Sequence, residues 1–482
     1  MGIFAKLRER SAVIGFLVKA QKTAWYPVIY GILCFIGGIN GYKVYIPIMW
    51  LLISMHLFSV LFADDNKVFL TPLCMVYFAI GIDNAADSFY TSGGDMLARM
   101  HEDALKHIIA MGIIGVGSFI LRLILDGSIA AAFKKRRRFT WGIVAMDIAF
   151  LLNGLFSPTY DTANLGFGAL LAMGFTVVYF IVSGMLDRSE NPIKYACYVT
   201  VCLAYSALFQ IITVVFRLHA EGKYIIDFGE SSLICKGSLT LGWGISNVIA
   251  GIIILGIPAA MYLAKNYRGS CFFFLSSVAF MFGSILVNAR DAMAVGIAAF
   301  VTCAVICCIS GKNRVAVRLC SVIFILLLCI ASIMFITMSA LSFEDILSCL
   351  RLEANKDSGR YLLWENGIAD FKSNIWFGSG FADGGYPEGM EHNNFYSNMY
   401  HCILVQLPGA MGIVGCIAFL IHAVEMALLT FKRPSSDKFL MICLPIMIIL
   451  MSLLDNFFFY LQFQIFYGVF LAAAERVSSD SV

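Results

Sequence analysis

Long apolar stretches separated by short polar connections cover most of this 482-residue chain. A helix needs about 20 apolar residues to cross the hydrocarbon of a bilayer, and on that template the pattern predicts about fourteen spans. The predicted fold class is therefore all-α, a polytopic membrane helical bundle of about 12–14 transmembrane helices. The predicted spans lie near residues 23–40, 44–62, 67–83, 107–131, 139–156, 166–185, 194–216, 241–264, 271–289, 291–310, 319–341, 404–430, 439–456 and 457–475.

The basic residues predict which side of the membrane each connection faces, because Lys and Arg concentrate in cytoplasmic loops. With the N-terminus inside, about two thirds of the 34 Lys and Arg fall on the inner side, and the alternation of sides never breaks. KKRRR (134–138), KNYR (265–268) and FKRPSSDK (431–438) are inner connections on this topology. The connections near 84–106 and 217–240 then face outside.

The same pattern divides the chain into five parts. The basic start lacks a small-residue cleavage site after its apolar run, which favours a retained cytoplasmic lead-in over a signal peptide. The expected parts are the lead-in (1–22), a transmembrane bundle (23–341), a large extracytoplasmic loop (342–403), C-terminal transmembrane helices (404–475) and a cytoplasmic tail (476–482).

Composition agrees with a membrane protein and excludes other classes. Hydrophobic residues make up 60% of the chain and charged residues 13%, against about 25% charged in soluble proteins. The net charge of +3 is too small to indicate a nucleic-acid partner. The 15 cysteines are scattered through apolar spans as packing residues, with a Cys235–Cys349 bridge as the alternative for two of them. No paired CxxC or HExxH motif predicts a metal site.

The longest polar segment, residues 344–406, concentrates groups that hydrocarbon would not tolerate. Within RYLLWENGIADF (360–371), Leu363, Trp364, Ile368 and Phe371 recur at helical spacing. This predicts a short amphipathic helix on the membrane surface, with Trp364 at the level of the headgroups.

Glycines mark the rest of this segment and the span that follows it. FGSGFADGGY (377–386) is typical of a turn region. Gly409, Gly412 and Gly415 then recur every third residue of the next predicted span, where they allow close backbone approach.

Two arginines are candidates to hold an anion, because the planar guanidinium matches phosphate oxygens bidentately and stays charged in a poor dielectric. Arg290 sits between two apolar runs, where the alternative is a snorkelling anchor neutralised by Asp291. Arg360 begins the predicted surface helix, where the alternative is an ordinary loop arginine.

Two histidines in the segment could accept a proton from a hydroxyl at neutral pH. His401 lies where the loop enters the span 404–430, whereas His392 precedes Asn393 and Asn394 and could equally bind sugar hydroxyls. A lone loop histidine is more often structural, so both alternatives stay open.

Three motifs resemble the O-antigen ligase and polymerase superfamily, the membrane proteins that handle lipid-linked bacterial glycans. They are VNARDAM (287–293), SGRYLLWENGIADFKSNIWFGSGF (358–381) and YHCILVQLPGAMGIVG (400–415), and the resemblance covers roughly residues 240–430. Two positions depart from the pattern. Cys402 follows His401 where Asn or Ser is common, and Asp291 follows Arg290 where a small residue is usual. The spacing to Gln406 and the glycines favours His401 over His392.

The resemblance implies glycosyl transfer, without cofactor or metal, on the outer face of the bacterial plasma membrane. The donor would be an undecaprenyl-pyrophosphate-linked glycan and the acceptor another sugar, for capsule or other surface polysaccharide, with a flippase and a chain-length regulator as further partners. Polymerase and ligase both fit. The implied catalytic residues are His401, Arg290 and Arg360, and the implied substrate-binding residues are His392, Asn393, Trp364 and Gln406.

Two other classes compete with this prediction. A transporter or flippase of lipid-linked glycan would show charges along the midplane of many spans and matched broken helices. Arg122, Asp126 and Asp147 are the few candidates, and Arg122 and Asp126 are spaced to pair along one helix. A non-catalytic membrane scaffold is the third alternative.

Overall fold

The computed structural model describes residues 2–81, 102–127, 133, 137–156, 162–222, 239–287, 289–338, 360–381 and 400–479. Most of these residues lie in α-helices, joined by short connections that include 3-10 turns and an isolated β-bridge between Leu241 and Gly244. The predicted all-α membrane bundle is thereby confirmed.

The helices are numbered in chain order over the described residues. They are α1 (Gly2–Arg10), α2 (Ala12–Gln21), α3 (Trp25–Gly38), α4 (Tyr42–Phe62), α5 (Leu70–Met75), α6 (Glu102–Leu125), α7 (Thr140–Phe156), α8 (Thr162–Asp187), α9 (Pro192–Ala220), α10 (Ser246–Asn266), α11 (Ser270–Leu286), α12 (Arg290–Ile309), α13 (Arg314–Met338), α14 (Arg360–Ser373), α15 (Ile403–Phe431), α16 (Ser436–Met451) and α17 (Leu461–Ser479).

Eight of the described helices are long and apolar enough to cross a membrane, and five further apolar stretches are shorter. The protein is thus a multi-pass membrane protein. One boundary difference from prediction lies at 439–475, where α16 ends at Met451 and α17 begins only at Leu461. The connecting turn is itself apolar and packed into the bundle, so hydropathy hides it.

The centre of the bundle is α10, which is buried along almost its whole length. A helix that is apolar all round is expected inside a bundle, and α10 packs against α9, α11, α12 and α16. In contrast, α13 exposes apolar side chains such as Leu319, Leu327 and Ile333. In a membrane these faces meet lipid.

The charges considered for a transporter are partly explained by packing. Arg122 Nε lies 3.6 Å from the Asp126 carboxylate, which confirms the predicted pairing along α6. The same guanidinium donates to the carbonyl oxygens of Val60 at 3.2 Å and Ala63 at 2.8 Å. Arg122 therefore caps the C-terminal end of α4.

The helix α15 is broken at Gly412, whose φ of 62° and ψ of −161° are not helical. Residues 374–381 cross the break and satisfy its freed backbone groups. Ile413 N donates to Ile375 O at 2.8 Å, and Ser379 N donates to Gly409 O at 2.9 Å. Irregular backbone at membrane depth is tolerated where protein covers it in this way.

The break also explains why close backbone approach was predicted at the glycines of α15: the segment 374–381 lies against the helix there. A Cβ on Gly412 would lie 2.3 Å from the carbonyl carbon of Trp376, and a Cβ on Gly378 would lie 2.4 Å from that of Ala410. Side chains at either position would push the crossing segment away from α15.

Candidate functional site

His401 lies two residues before α15, in a left-handed backbone conformation with φ of 52°. This region is uncommon for a residue with a side chain and needs support from its surroundings. Gln406 supplies support from inside α15, because its Oε1 accepts a hydrogen bond from Tyr400 N at 2.8 Å. Ile403 N donates to Ser452 O at 2.7 Å. The start of α15 is thereby fixed to the turn after α16.

The side chain of His401 is paired with Asp455, a residue of that turn. His401 Nδ1 lies 3.0 Å from Asp455 Oδ1, and the exposed side-chain fractions are 36% for the histidine and 3% for the aspartate. Asp455 also accepts from Asn247 Nδ2 at 3.0 Å and from Tyr460 OH at 3.2 Å. One buried carboxylate therefore joins the starts of α10, α15 and α17.

The environment of Asp455 favours its charged form. Burial alone opposes the charge, but hydrogen bonds from His401, Asn247 and the backbone N–H of Asn456 outweigh burial and lower the pKa of Asp455 to about 2. Asp455 is therefore a carboxylate at neutral pH.

This pairing assigns a chemical role to the imidazole. An ionised carboxylate only accepts, so the proton of neutral His401 resides on Nδ1, and Nε2 carries the lone pair. Aspartate holds histidine in the same tautomer in the hydrolase triads and stabilises the imidazolium that forms. In this arrangement the Nε2 lone pair of a neutral His401 can accept a proton, and about a third of the side chain is accessible.

A second group of polar side chains fixes Tyr400, the residue directly before His401. Tyr400 OH donates to Asp370 Oδ2 at 2.5 Å and lies 3.2 Å from Ser379 Oγ. Burial, together with the Asp370 carboxylate, raises the pKa of Tyr400, which remains a neutral donor. Tyr400 thereby ties both α14 and the glycine turn to the backbone of His401.

The predicted helix at 360–371 is confirmed as α14, and it packs on the beginning of α15. A Cβ on Gly367 would meet Val405 Cγ1 at 2.5 Å, so the helices are in close contact there. Trp364 is partly buried, with its ring 5.4 Å from that of Tyr361 in a T-shaped contact. Arg360 is half-buried and is the first residue of α14, about 10 Å from Gly367 along the axis of that helix.

Arg290 begins α12 and is exposed, whereas Asp291 is buried. The packing of α12 on α10 sets the level of Arg290 in the bundle. A Cβ on Gly296 would lie 2.9 Å from Ile254 Cγ2. Measured from this contact towards the start of each helix, Asn247 on α10 and Arg290 on α12 are about the same number of residues away. Arg290 therefore lies at the same end of the bundle as Asn247, the partner of Asp455.

Four of the predicted site residues lie on or directly before two helices that pack together. His401 and Gln406 share the start of α15, and Arg360 and Trp364 belong to the helix packed on it. Gln406 is completely buried and contacts backbone. His392 and Asn393 lie outside the described residues. Within the described part of the chain, no group of three or more His, Cys, Asp or Glu is placed to hold a metal ion.

Sequence reasoning missed Asp455, Asn247 and Asp370. The signal for Asp455 was its position beside Asn456 within the apolar run LLDNFFFY, where a charge inside a predicted span is a functional candidate by default. Asn247 and Asp370 carry no comparable signal.

Fold and site together define a multi-pass membrane protein with a histidine–carboxylate pair at one end of its bundle. Residues 275–420 match the family model described as O-antigen ligase. The match supports the O-antigen ligase and polymerase superfamily and confirms the resemblance given by the motifs. No curated protein matches the chain. The matched segment contains Arg290, Arg360 and His401 but ends before Asp455. The match supports a role as a membrane glycan ligase or polymerase, a glycosyltransferase-like enzyme.

Proposed function

We propose that the protein transfers a glycan from an undecaprenyl-pyrophosphate-linked donor to a sugar hydroxyl on the extracytoplasmic face of the bacterial plasma membrane. The product would be capsule or another surface polysaccharide. The single observation that carries the proposal is the 3.0 Å pairing of His401 with the buried Asp455 beside the helix that begins at Arg360. The charge distribution supports the extracytoplasmic side.

In the proposed reaction, His401 Nε2 takes the proton of the acceptor hydroxyl while its oxygen attacks the anomeric carbon of the donor. The bond between that carbon and the pyrophosphate oxygen breaks, and the pyrophosphate leaves with the electron pair. Asp455 stabilises the imidazolium during this step. Pyrophosphate is a good leaving group, so cations that stabilise its departing charge replace a strong acid.

Arg290 and Arg360 are the proposed cations. Arg290 begins a helix at the Asp455 end of the bundle, where the positive end of the helix dipole adds to its charge. Arg360 begins the helix packed on α15. A guanidinium on each side of the pyrophosphate would bind its oxygens bidentately.

The remaining predicted residues have separate proposed roles. Trp364, His392 and Asn393 bind sugar, since an indole face and amide or imidazole groups suit polyhydroxylated ligands. Gln406 serves the substrate indirectly, through the backbone N–H of Tyr400 next to His401. A flippase and a chain-length regulator are the proposed partners.

The test uses purified protein in nanodiscs with a polyprenyl-pyrophosphate oligosaccharide, and its products are resolved by mass. Longer glycans from donor alone indicate a polymerase, and transfer only to an added glycolipid acceptor indicates a ligase. An unchanged oligosaccharide in both arms contradicts the proposal and favours a transporter. A chelator should leave the rate unchanged, and complete dependence on Mg²⁺ would contradict the role of the arginines.

A further inference from the structure

A cavity of about 350 Å³ lies between α4, the α5 segment and α6 on one side and the C-terminal helix α17 on the other. Its lining is largely apolar and includes Met49, Ile53, Ile108, Phe119, Ile465 and Phe466. None of the residues predicted for the catalytic site lines it, so this cavity needs its own explanation.

The cavity is a half-open groove, and its exposed lining residues show where it opens. Val116 of α6 is 59% exposed and Leu461 of α17 is 39% exposed. The opening therefore lies between α6 and α17. Neighbouring side chains on α6, such as Ile113 at 69% exposure, are apolar too. Such an apolar surface is suited to contact bilayer hydrocarbon.

One end of the groove adjoins the candidate catalytic site. Leu461 lines the groove and directly follows Tyr460, whose hydroxyl donates to Asp455 at 3.2 Å. Further along the groove lies His56, whose Nε2 is 3.1 Å from Gly115 O and so joins α4 to α6. The lining of α6 runs from Ile108 to Phe119, about 16 Å of helix. That is about half of a 30 Å hydrocarbon layer, the depth of one leaflet.

Building on the proposed function, we propose that this groove seats the polyisoprenoid chain of the lipid-linked donor. A chain lying in it would emerge beside Asp455 and His401, which is where its pyrophosphate must arrive. Because the bilayer is as apolar as the groove, no hydrophobic gain drives the chain in. Shape and packing must select it, so the groove aligns the donor more than it concentrates it.

Two glycines of α6 provide a matched pair of variants. A Cβ on Gly112, which lines the groove, and a Cβ on Gly117, which does not, would each have no atom within 4 Å. Gly112→Phe adds one ring to the lining of the groove, whereas Gly117→Phe places the same ring elsewhere on the surface of the same helix. Both changes alter helix propensity equally.

The experiment is photo-labelling in nanodiscs with a polyprenyl pyrophosphate that carries a photoreactive group on its chain and no glycan. We expect label on peptides of α6 and α17, loss of that label in Gly112→Phe and retention in Gly117→Phe. Excess unlabelled polyprenyl pyrophosphate should displace the probe, and excess phosphatidylglycerol should not.

Label elsewhere on the protein, or equal displacement by the phospholipid, would overturn the inference. If Gly112→Phe fails to fold, the inference is tested in the wild-type protein alone, by which peptides carry the label and by which lipid displaces the probe. Labelling in the groove without any glycosyl transfer would contradict the proposed function alone. Transfer with no label in the groove would overturn this inference alone.

Discussion

Replacing Asp455 by asparagine should slow transfer severely while leaving donor binding nearly unchanged. The wild-type carboxylate accepts from His401, Asn247, Tyr460 and the backbone of Asn456. An amide of the same shape has only one acceptor oxygen, so its NH₂ must face one of these donors. If it faces His401, the imidazole is driven to the tautomer whose Nε2 can no longer accept a proton.

The size of the effect follows from the part that the pair plays in the proposed reaction. The hydrogen bonds to Asp455 lower its pKa from 3.8 to about 2 although the carboxylate is buried, so its charge is in place before substrate binds. General-base catalysis by the imidazole that it orients is worth about 100- to 10,000-fold in rate. We therefore expect kcat to fall by about 100-fold or more.

Steady-state transfer kinetics in nanodiscs test this prediction, with Asp437→Asn as the matched control. Asp437 pairs with Lys265 at 2.5 Å, at the start of α16, the helix end opposite Asp455. The reasoning would be refuted by an unchanged kcat in Asp455→Asn, or by an effect confined to KM.

The same substitution predicts a pH dependence of stability. The pKa of Asp455 is lower in the folded protein than in the unfolded chain. The ionised carboxylate therefore stabilises the fold above about pH 4, and this stabilisation is lost as the pH falls towards 2. The thermal midpoint of Asp455→Asn should thus lie below that of the wild type at pH 6, and the two should converge in acid. A gap that stays constant down to pH 3 would contradict the assigned charge.

The remaining predictions concern the scaffold of the site. Gln406→Leu should lower the thermal midpoint and the rate together, because an unpaired buried N–H at the start of α15 costs about 1–3 kcal/mol; an unchanged midpoint would count against the contact. Gly412→Ala should be strongly destabilising, because Gly412 has a φ of 62° and the added Cβ would lie 2.3 Å from the backbone of Trp376. The control Gly112→Ala should be tolerated. Equal thermal midpoints for the two variants would disprove the break in α15. The Sγ atoms of Cys271 and Cys320 are 3.3 Å apart, so these cysteines should form a disulfide under mild oxidation, which peptide mapping would detect. Failure to form it would argue against the packing of α11 on α13.

Hydropathy predicted the membrane bundle because lipid imposes the same length and composition on each span. It also located α14, since Leu363 and Trp364 belong to a helical repeat long enough to be recognised. It misplaced the boundary near 439–475 because a turn packed among other helices carries apolar residues such as Phe457 and Phe458, both buried.

The histidine–carboxylate pair could not be read from one sequence. His401 and Asp455 are 54 positions apart, and only the packing of α15 beside the turn after α16 brings them together. The break at Gly412 was equally hidden, because the glycine spacing predicted close approach without indicating which segment approaches. The choice between His401 and His392 stays a prediction.

The central claim is that His401 performs the proton transfer, and its most direct test is the product analysis of His401→Ala. His219→Ala is the matched control, an exposed histidine near the C-terminal end of α9. We expect His401→Ala to form no extended or transferred glycan at a thermal midpoint equal to that of the control, which should form the wild-type product. Wild-type product from His401→Ala would contradict the account, and loss of product in His392→Ala instead would move the catalytic role to His392.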